Sequence, residues 1–580
     1  MLGGAFNLHF ADLGETYVAR NLAPWAVIGL SLIALWWQPF RRGEIGWSPL
    51  WAVGLLAPAF GAFVVLSLNI LGGYEHFHMG HYFMPFMLLA FALFILGLLQ
   101  HGDALPDLSV TIIFIGVLFL PQFIFYLVQE NPIINALAPQ ATLAVPAWLA
   151  KPSAGFGQYN LLGSFIAGLV VMAVCAFTLV EKSAVRRALL AALLVIFSFD
   201  LPFIQSKTSL LGIVGGFGFL GAHLYASRAA SPAKWRFLTC LLLVLGTYFL
   251  VVTAMTYLGE SELLASRSAS ANATSFLSRL TMWILGFWGF VEAPLFGQGL
   301  GSYLSVYMAQ FAQYGLAENH YFMALVTVPH NLFIHILAET GLFGLVLIMG
   351  PFIWLAWRIF ATHENRWLIA ALVFPIGLHT QVEYPYVASG AHYWLFALAL
   401  VFGLTLKPGA FSFAHRFHFA SRQLRYTALG GFSAACILGV WVSVSLMMDV
   451  REATLAYHRA VQKPLYAFLD DRANAPELQH PILGKRLRAI SNISAIKRLL
   501  AEQQYTLLRP VALPYFEAHV MSDYPVPRVW ELAVETYLAL GEMDKARAVI
   551  AQAMQYNVKT GAALQAVLNK ALAQRAIRPQ

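Results

Sequence analysis

The run Asn160-Leu-Leu-Gly-Ser-Phe-Ile-Ala-Gly-Leu-Val-Val-Met-Ala-Val-Cys-Ala-Phe-Thr-Leu-Val180 contains no charged residue and ends abruptly at Glu181-Lys182. A membrane-spanning helix needs about 20 mostly apolar residues, so this stretch reads as a span. The same pattern recurs on both sides. Twelve segments qualify: 22–38, 49–71, 82–100, 109–128, 158–180, 187–203, 208–226, 236–258, 332–357, 367–382, 390–406 and 425–446. The chain of 580 residues is 59% hydrophobic and only 11% charged, against about 25% charged in soluble domains. The expected fold is an all-α polytopic membrane protein with about 12 transmembrane helices.

Charge is unevenly placed. From Asp449 onward there are 17 Lys/Arg and 12 Asp/Glu, out of 36 and 28 in the whole chain. Residues 1–447 are therefore read as the membrane domain and 448–580 as a separate soluble domain. The net charge of +8 is explained by a positive-inside bias, and no nucleic-acid partner is expected. Cys175, Cys240 and Cys436 all lie in apolar runs, so neither a disulfide framework nor a cysteine metal site is expected.

The loops set the orientation. Arg41 and Arg42 follow the first span; Lys182, Arg186 and Arg187 the fifth; Arg228, Lys234 and Arg236 the seventh. Arg358 and Arg366 flank the ninth loop, and Lys407, Arg416, Arg422 and Arg425 occupy the eleventh. All are odd-numbered loops, which places them in the cytoplasm. The third loop, 101–108, has no Lys or Arg. The even-numbered loops then face outward, among them the longest, 259–331, whose length suggests a functional role. Both termini fall outside as well. No cleavable signal precedes the first span, and one more helix ahead of Met1 would restore a cytoplasmic start.

Several unusual sequences share the outer face. Gly155-Phe-Gly157-Gln158-Tyr159-Asn160 offers close backbone approach and two amides for a sugar or phosphate; the plain alternative is a turn and a helix cap. Lys207, in Gln205-Ser206-Lys207-Thr208, goes against the charge bias and either snorkels or meets a phosphate. Arg279, in Ser278-Arg279-Leu-Thr, is a candidate phosphate fork, or it anchors an amphipathic helix, 280–290, lying on the membrane. His330-Asn331 follows Pro329 where the long loop meets a span, a place for an acid or base titrating near neutrality, or simply for a cap. Glu339 is expected to be structural: on an unbroken helix it lies opposite His330 but four residues from His335, on the same face. Glu383-Tyr384-Pro385 closes the tenth span, where a tyrosine is also an ordinary interfacial residue.

His330-Asn331 followed by Leu-Ala-Glu339-Thr-Gly341 resembles the hallmark of the O-antigen ligase/polymerase superfamily. The ordered set Gly157-Gln158-Tyr159-Asn160, Ser206-Lys207-Thr208, Pro294-Leu-Phe-Gly297-Gln-Gly299, His330-Asn331 and Glu383-Tyr384-Pro385 resembles, more narrowly, the bacterial PglL-type O-oligosaccharyltransferases. Tyr159 and Lys207 stand where that family usually has Arg, and Tyr386-Val-Ala-Ser replaces its usual Leu-Trp-Tyr. The resemblance implies a glycan donor on undecaprenyl diphosphate, a pilin-like acceptor protein, an inner-membrane location, and transfer on the periplasmic face with inversion and without a metal or other cofactor. In that chemistry His330 would act as general base. Arg279 and Lys207 would stabilise the leaving diphosphate. Gln158, Asn160, Asn331, Glu383 and Tyr384 would hold the substrates. The rival expectations are an O-antigen ligase acting on the lipid A core, a polysaccharide polymerase and, from another class, a transporter.

The tail reads as helical. Trp530 to Leu540, Gly541, then Met543 to Ala548 has the form of a helix, a glycine turn and a second helix. Its Tyr537/Gly541/Ala546 pattern resembles one tetratricopeptide-like hairpin.

Overall fold

The computed structural model describes residues 16–71, 80–101, 108–117, 159–204, 206–257, 270–313, 328–383, 389–406, 411–462, 465, 467, 469, 484–519, 527–556 and 558–577. It is built from helices. In chain order the membrane part comprises α1 (Thr16–Arg42), α2 (Pro49–Leu71), α3 (Gly80–Leu99), α4 (Leu108–Val117), α5 (Tyr159–Cys175), α6 (Ala184–Ile204), α7 (Lys207–Ala226) and α8 (Ser231–Tyr257). Two helices, α9 (Ser270–Glu292) and α10 (Tyr303–Gln313), fall within the long loop. They are followed by α11 (Leu332–Gly344), α12 (Gly350–Thr362), α13 (Arg366–His379), α14 (Gly390–Thr405) and α15 (Arg422–Gln462). The tail adds α16 (Gly484–Ala501), α17 (Tyr505–His519), α18 (Pro527–Leu540), α19 (Met543–Tyr556) and α20 (Val558–Ile577).

Each apolar segment named from the sequence overlaps a helix among the described residues. Among the described residues, 7 of these are long and apolar enough to cross a membrane: Pro49–Leu71, Asn160–Val180, Ala184–Ile204, Lys207–Ala226, Ser231–Tyr257, Leu332–Thr362 and Arg422–Val442. Four more apolar helices are shorter: Met84–Leu99, Leu108–Val117, Arg366–His379 and Gly390–Thr405.

α5 is the hub. It is apolar on every side, and such a helix must be covered all round; Leu161 to Ala176 are almost entirely buried. It packs against α6, α7 and α13. Close approach of α7 to α13 relies on small residues, as is usual between membrane helices. A Cβ on Gly212 would sit 3.1 Å from Pro375 Cα, and one on Gly216 would sit 3.3 Å from Ala371 O. α8 is peripheral and exposes Leu242, Phe249 and Leu250, the surface expected of a helix facing lipid.

The described part of the long loop is largely helical. α9 packs on both α10 and α11, and α11 is broken at Gly341 (φ 64°, ψ −165°). The break frees main-chain groups that the 294–301 turn takes up. Gln298 N–H donates to Ala338 O (3.0 Å) and Gly299 N–H to Glu339 O (2.9 Å). In return Leu342 N–H donates to Pro294 O (2.8 Å) and Phe343 N–H to Leu295 O (3.0 Å). Gly297 and Gly341 both have positive φ, and a Cβ on either would collide with the other segment's backbone, so glycine is required at both. The turn also reaches α2: Leu300 N–H donates to the buried Asn69 Oδ1 at 2.8 Å.

Two strands, β1 (Glu44–Trp47) and β2 (His415–His418), pair antiparallel with Glu44 opposite His418 and Trp47 opposite His415. They join the first and eleventh loops, which the charge pattern had placed on one side. The tail helices share a core of their own around Trp530, Phe516, Tyr537 and Ile550. α18 and α19 form a hairpin whose turn residue Gly541 has φ 80°.

Candidate functional site

Where the loops at one end of the bundle converge, four polar side chains meet. Glu383, just past the end of α13, is fully buried. Its Oε1 accepts from Asn160 Nδ2 at 2.7 Å and from a terminal guanidinium nitrogen of Arg279, and its Oε2 lies 2.7 Å from His330 Nδ1. These groups come from the head of α5, the middle of α9, the approach to α11 and the exit of α13, so four segments far apart in sequence converge on one carboxylate.

Local structure explains the placement. Asn331 caps α11: its Oδ1 accepts from Ile334 N–H at 3.0 Å, and its Nδ2 donates to Gln381 O at 3.0 Å. Leu332 N–H donates to Thr380 O at 3.0 Å. The start of α11 is thereby stitched to the end of α13, and His330 is left in the left-handed region (φ 54°), where non-glycine residues are uncommon and strain is often functional. Glu339 is held elsewhere. It lies 3.2 Å from His335 Nε2 and accepts from Tyr303 N–H at 3.1 Å, which is the structural role expected of it.

The electrostatics follow from this geometry. Burial alone would raise the Glu383 carboxyl, but the His330 hydrogen bond, with the charges of His330 and Arg279, outweighs it and holds the group down to about 2. Glu383 is therefore a carboxylate at neutral pH and can only accept, so His330 Nδ1 donates to it and Nε2 is the ring nitrogen left facing away from the carboxylate. The His330 and Arg279 side chains keep 18% and 23% of their surface exposed, enough to reach a ligand from the rim of the cluster.

Of the residues singled out from the sequence, Asn160, Arg279, His330 and Glu383 are brought together. Asn331 is adjacent, with its amide engaged in capping. Arg279 turns inward to Glu383, while Phe276, Leu280, Ile284, Phe287 and Val291 of α9 form an exposed apolar stripe. Lys207 is solvent-exposed at the first position of α7, behind the Ser206 cap. Gln158 and Tyr384 lie outside the described residues. Among the described residues no group of three or more His, Cys, Asp or Glu is placed to hold a metal ion.

Two further features stand outside the sequence expectations. His392 is buried in α14 between Ser164 Oγ (2.9 Å) and Ser389 Oγ (2.7 Å), and it stacks on the buried His379 at 6.2 Å. Ionisable residues inside spans are the signal that would have found this pair. An apolar cavity of about 1190 Å³ lies between α1–α3 and α11–α15. Leu332, Phe333, Thr380 and Gln381 line it, so it reaches the segments that carry His330 and Glu383.

A family model described as O-antigen ligase matches residues 192–349. The matched region holds Arg279 and His330 and ends before Glu383. No curated protein matches the chain. The match supports the O-antigen ligase superfamily and, with it, a membrane-embedded enzyme that transfers glycans from lipid carriers.

Proposed function

We propose that this chain is a protein O-oligosaccharyltransferase of the bacterial inner membrane. It moves a glycan from undecaprenyl diphosphate to a Ser or Thr hydroxyl of a pilin-like protein at the periplasmic face, inverting the anomeric centre. The observation that carries the reading is the His330–Glu383 pair, fixed by Asn160 and Arg279, in a chain whose residues 192–349, with Arg279 and His330 among them, match the O-antigen ligase family.

In this scheme Nε2 of His330 takes the acceptor hydroxyl proton as the oxygen attacks the anomeric carbon. The bond to the diphosphate oxygen breaks on the opposite face, and the electron pair leaves with the lipid diphosphate. Glu383 stabilises the imidazolium and holds its orientation, as the carboxylate of a triad does; this replaces a direct contact with substrate. Arg279 serves two ends, neutralising Glu383 and presenting positive charge at the rim. Lys207, at the positive end of α7, faces the diphosphate. Gln158, Asn331 and Tyr384 flank the sugar and acceptor. The apolar cavity beside Leu332 and Thr380 gives room for a lipid chain. The step as written draws on no cofactor. Residues 448–580 lie in the periplasm, where the α18–α19 hairpin, read as tetratricopeptide-like, receives the acceptor protein.

A ligase acting on the lipid A core is the second reading, favoured by the description of the matching family. Intact-mass analysis of a co-expressed pilin-like protein, in cells making a lipid-linked glycan, separates the two. A glycan-sized increase with wild type and none with His330→Ala supports protein transfer. An unmodified pilin-like protein beside glycan-extended lipopolysaccharide would replace it with the ligase.

A further inference from the structure

The end of the bundle away from Glu383 carries a platform that glycan transfer does not use. α14 begins beside Ser389 at the site and runs to Thr405, after which the chain enters β2. The ribbon of β1 and β2 is held rigidly. Gln100, at the end of α3, clamps Gly46 by two hydrogen bonds of 2.8 Å, and Phe419 N–H donates to Gly43 O at 3.2 Å. The Phe413 ring occupies the space a side chain at position 46 would fill.

The register gives the ribbon two faces. Ile45, Trp47, His415 and Phe417 share one, with the Trp47 and His415 rings 5.1 Å apart and with Trp47 and Phe417 44% and 50% exposed. Glu44, Arg416 and His418 share the other. Around the ribbon stand Arg41 and Arg42 from the end of α1 and Arg422 and Arg425 from the start of α15. Among the described residues of these segments Glu44 is the one acid. It is already engaged, 3.0 Å from Arg416 and 3.6 Å from His418. Arg425 packs 4.9 Å from the Tyr426 ring centroid, and its Nε is buried with no hydrogen-bond partner among the described residues. The patch therefore has a large excess of guanidinium over carboxylate, on a rigid support with exposed aromatic edges. It lies at the end of Arg422–Val442, a helix long and apolar enough to span the membrane.

We propose that this platform binds the phosphate of an anionic phospholipid headgroup in the leaflet at that end. Guanidinium forks match phosphate geometry, aromatic rings favour headgroup depth, and clustered arginines beside a span attract acidic lipid.

Native mass spectrometry of the detergent-solubilised full chain, offered equal phosphatidylglycerol and phosphatidylcholine, tests the idea. Wild type should retain the anionic lipid preferentially. Arg41→Gln/Arg42→Gln/Arg416→Gln/Arg425→Gln should reduce that preference by about tenfold or more. Glu44→Gln, which removes the competing carboxylate, should leave it intact or raise it, an outcome that misfolding does not produce. An equal uptake of both lipids by wild type, or a preference unchanged in the quadruple variant, would overturn the proposal. So would displacement of the bound lipid by millimolar inorganic pyrophosphate, which would identify a site for soluble phosphate instead.

Discussion

His330 Nδ1 and Glu383 Oε2 lie 2.7 Å apart, across 53 residues of chain and from opposite sides of the α11–α13 stitch. Glu383→Gln preserves the volume and the bond to Arg279's side of the cluster in part, but it offers His330 a neutral amide. The imidazole then loses both its orientation and its counter-charge. Glycan transfer should fall by about 10³-fold or more, by analogy with the triad carboxylate, in a variant that still folds but is less stable than wild type at neutral pH. Less than a tenfold loss in a single-turnover transfer assay would remove Glu383 from the reacting unit.

His330→Ala should abolish transfer while the protein still folds, because the His330 side chain is partly exposed and its backbone contacts are made by Asn331 and Leu332. Alanine at φ 54° is strained, so His330→Asn, which tolerates that region, is the companion variant. Inactivity of both, with unchanged melting temperature for the Asn form, assigns the loss to the imidazole. Activity in either would end its role as base.

Arg279→Ala removes a partner of Glu383 as well as positive charge at the rim. A cost on the order of 2–4 kcal/mol in transition-state stabilisation is expected, read as kcat/KM with a lipid-diphosphate donor. Arg279→Lys should recover only part of it, since an ammonium cannot serve two ligands in one plane. Full recovery by Lys would argue that charge alone matters.

The pH dependence has a defined sign. Glu383 has its folded carboxyl lowered from 4.5 to about 2. Its contribution to stability is fully present above the ordinary carboxylate range and is lost as pH falls toward 2, an effect on the order of 3 kcal/mol. Thermal stability of wild type should therefore drop between about pH 4.5 and 2, and Glu383→Gln should flatten that drop. A pH–stability curve of the same shape for both proteins would contradict the assignment.

Gly297→Ala and Gly341→Ala test the hook between the turn and the helix break. Each places a methyl against the other segment's main chain at positive φ. Destabilisation of more than about 1 kcal/mol is expected from either, seen as a lowered melting temperature in detergent. The double variant should cost less than the sum of the two, because both disrupt one contact. Additive losses would mean that the two glycines serve separate structures.

Much of this was visible in the residues themselves. Uncharged runs mark the apolar helices, and the arginines of the odd-numbered loops set Asn160, Arg279, His330 and Glu383 apart as one group. Helical geometry also separated Glu339 from His330. Less visible was that Glu383 gathers Asn160, Arg279 and His330 around one carboxylate: a carboxylate near a proline turn says nothing about which distant donors will surround it. Asn331 looked like half of a functional pair, whereas its side chain closes a helix end, a local hydrogen bond that composition cannot distinguish from a ligand contact. The β ribbon is not legible in the sequence because four-residue strands carry little periodicity. Its pairing depends on Gln100 and Phe413, which are remote from β1 in sequence.

The hook at Gly341 also changes what the long segment between α8 and α11 is. Main-chain bonds pin Pro294–Gly299 to α11, and this divides one large excursion into two smaller arcs, one leading to Arg279 and one to His330. Closure entropy grows only slowly with length, so either arc can be lengthened or rewritten at little cost while the pin keeps the other in register. New recognition surfaces can then be tried on one side without disturbing the chemistry on the other, a modularity that comes from two glycines.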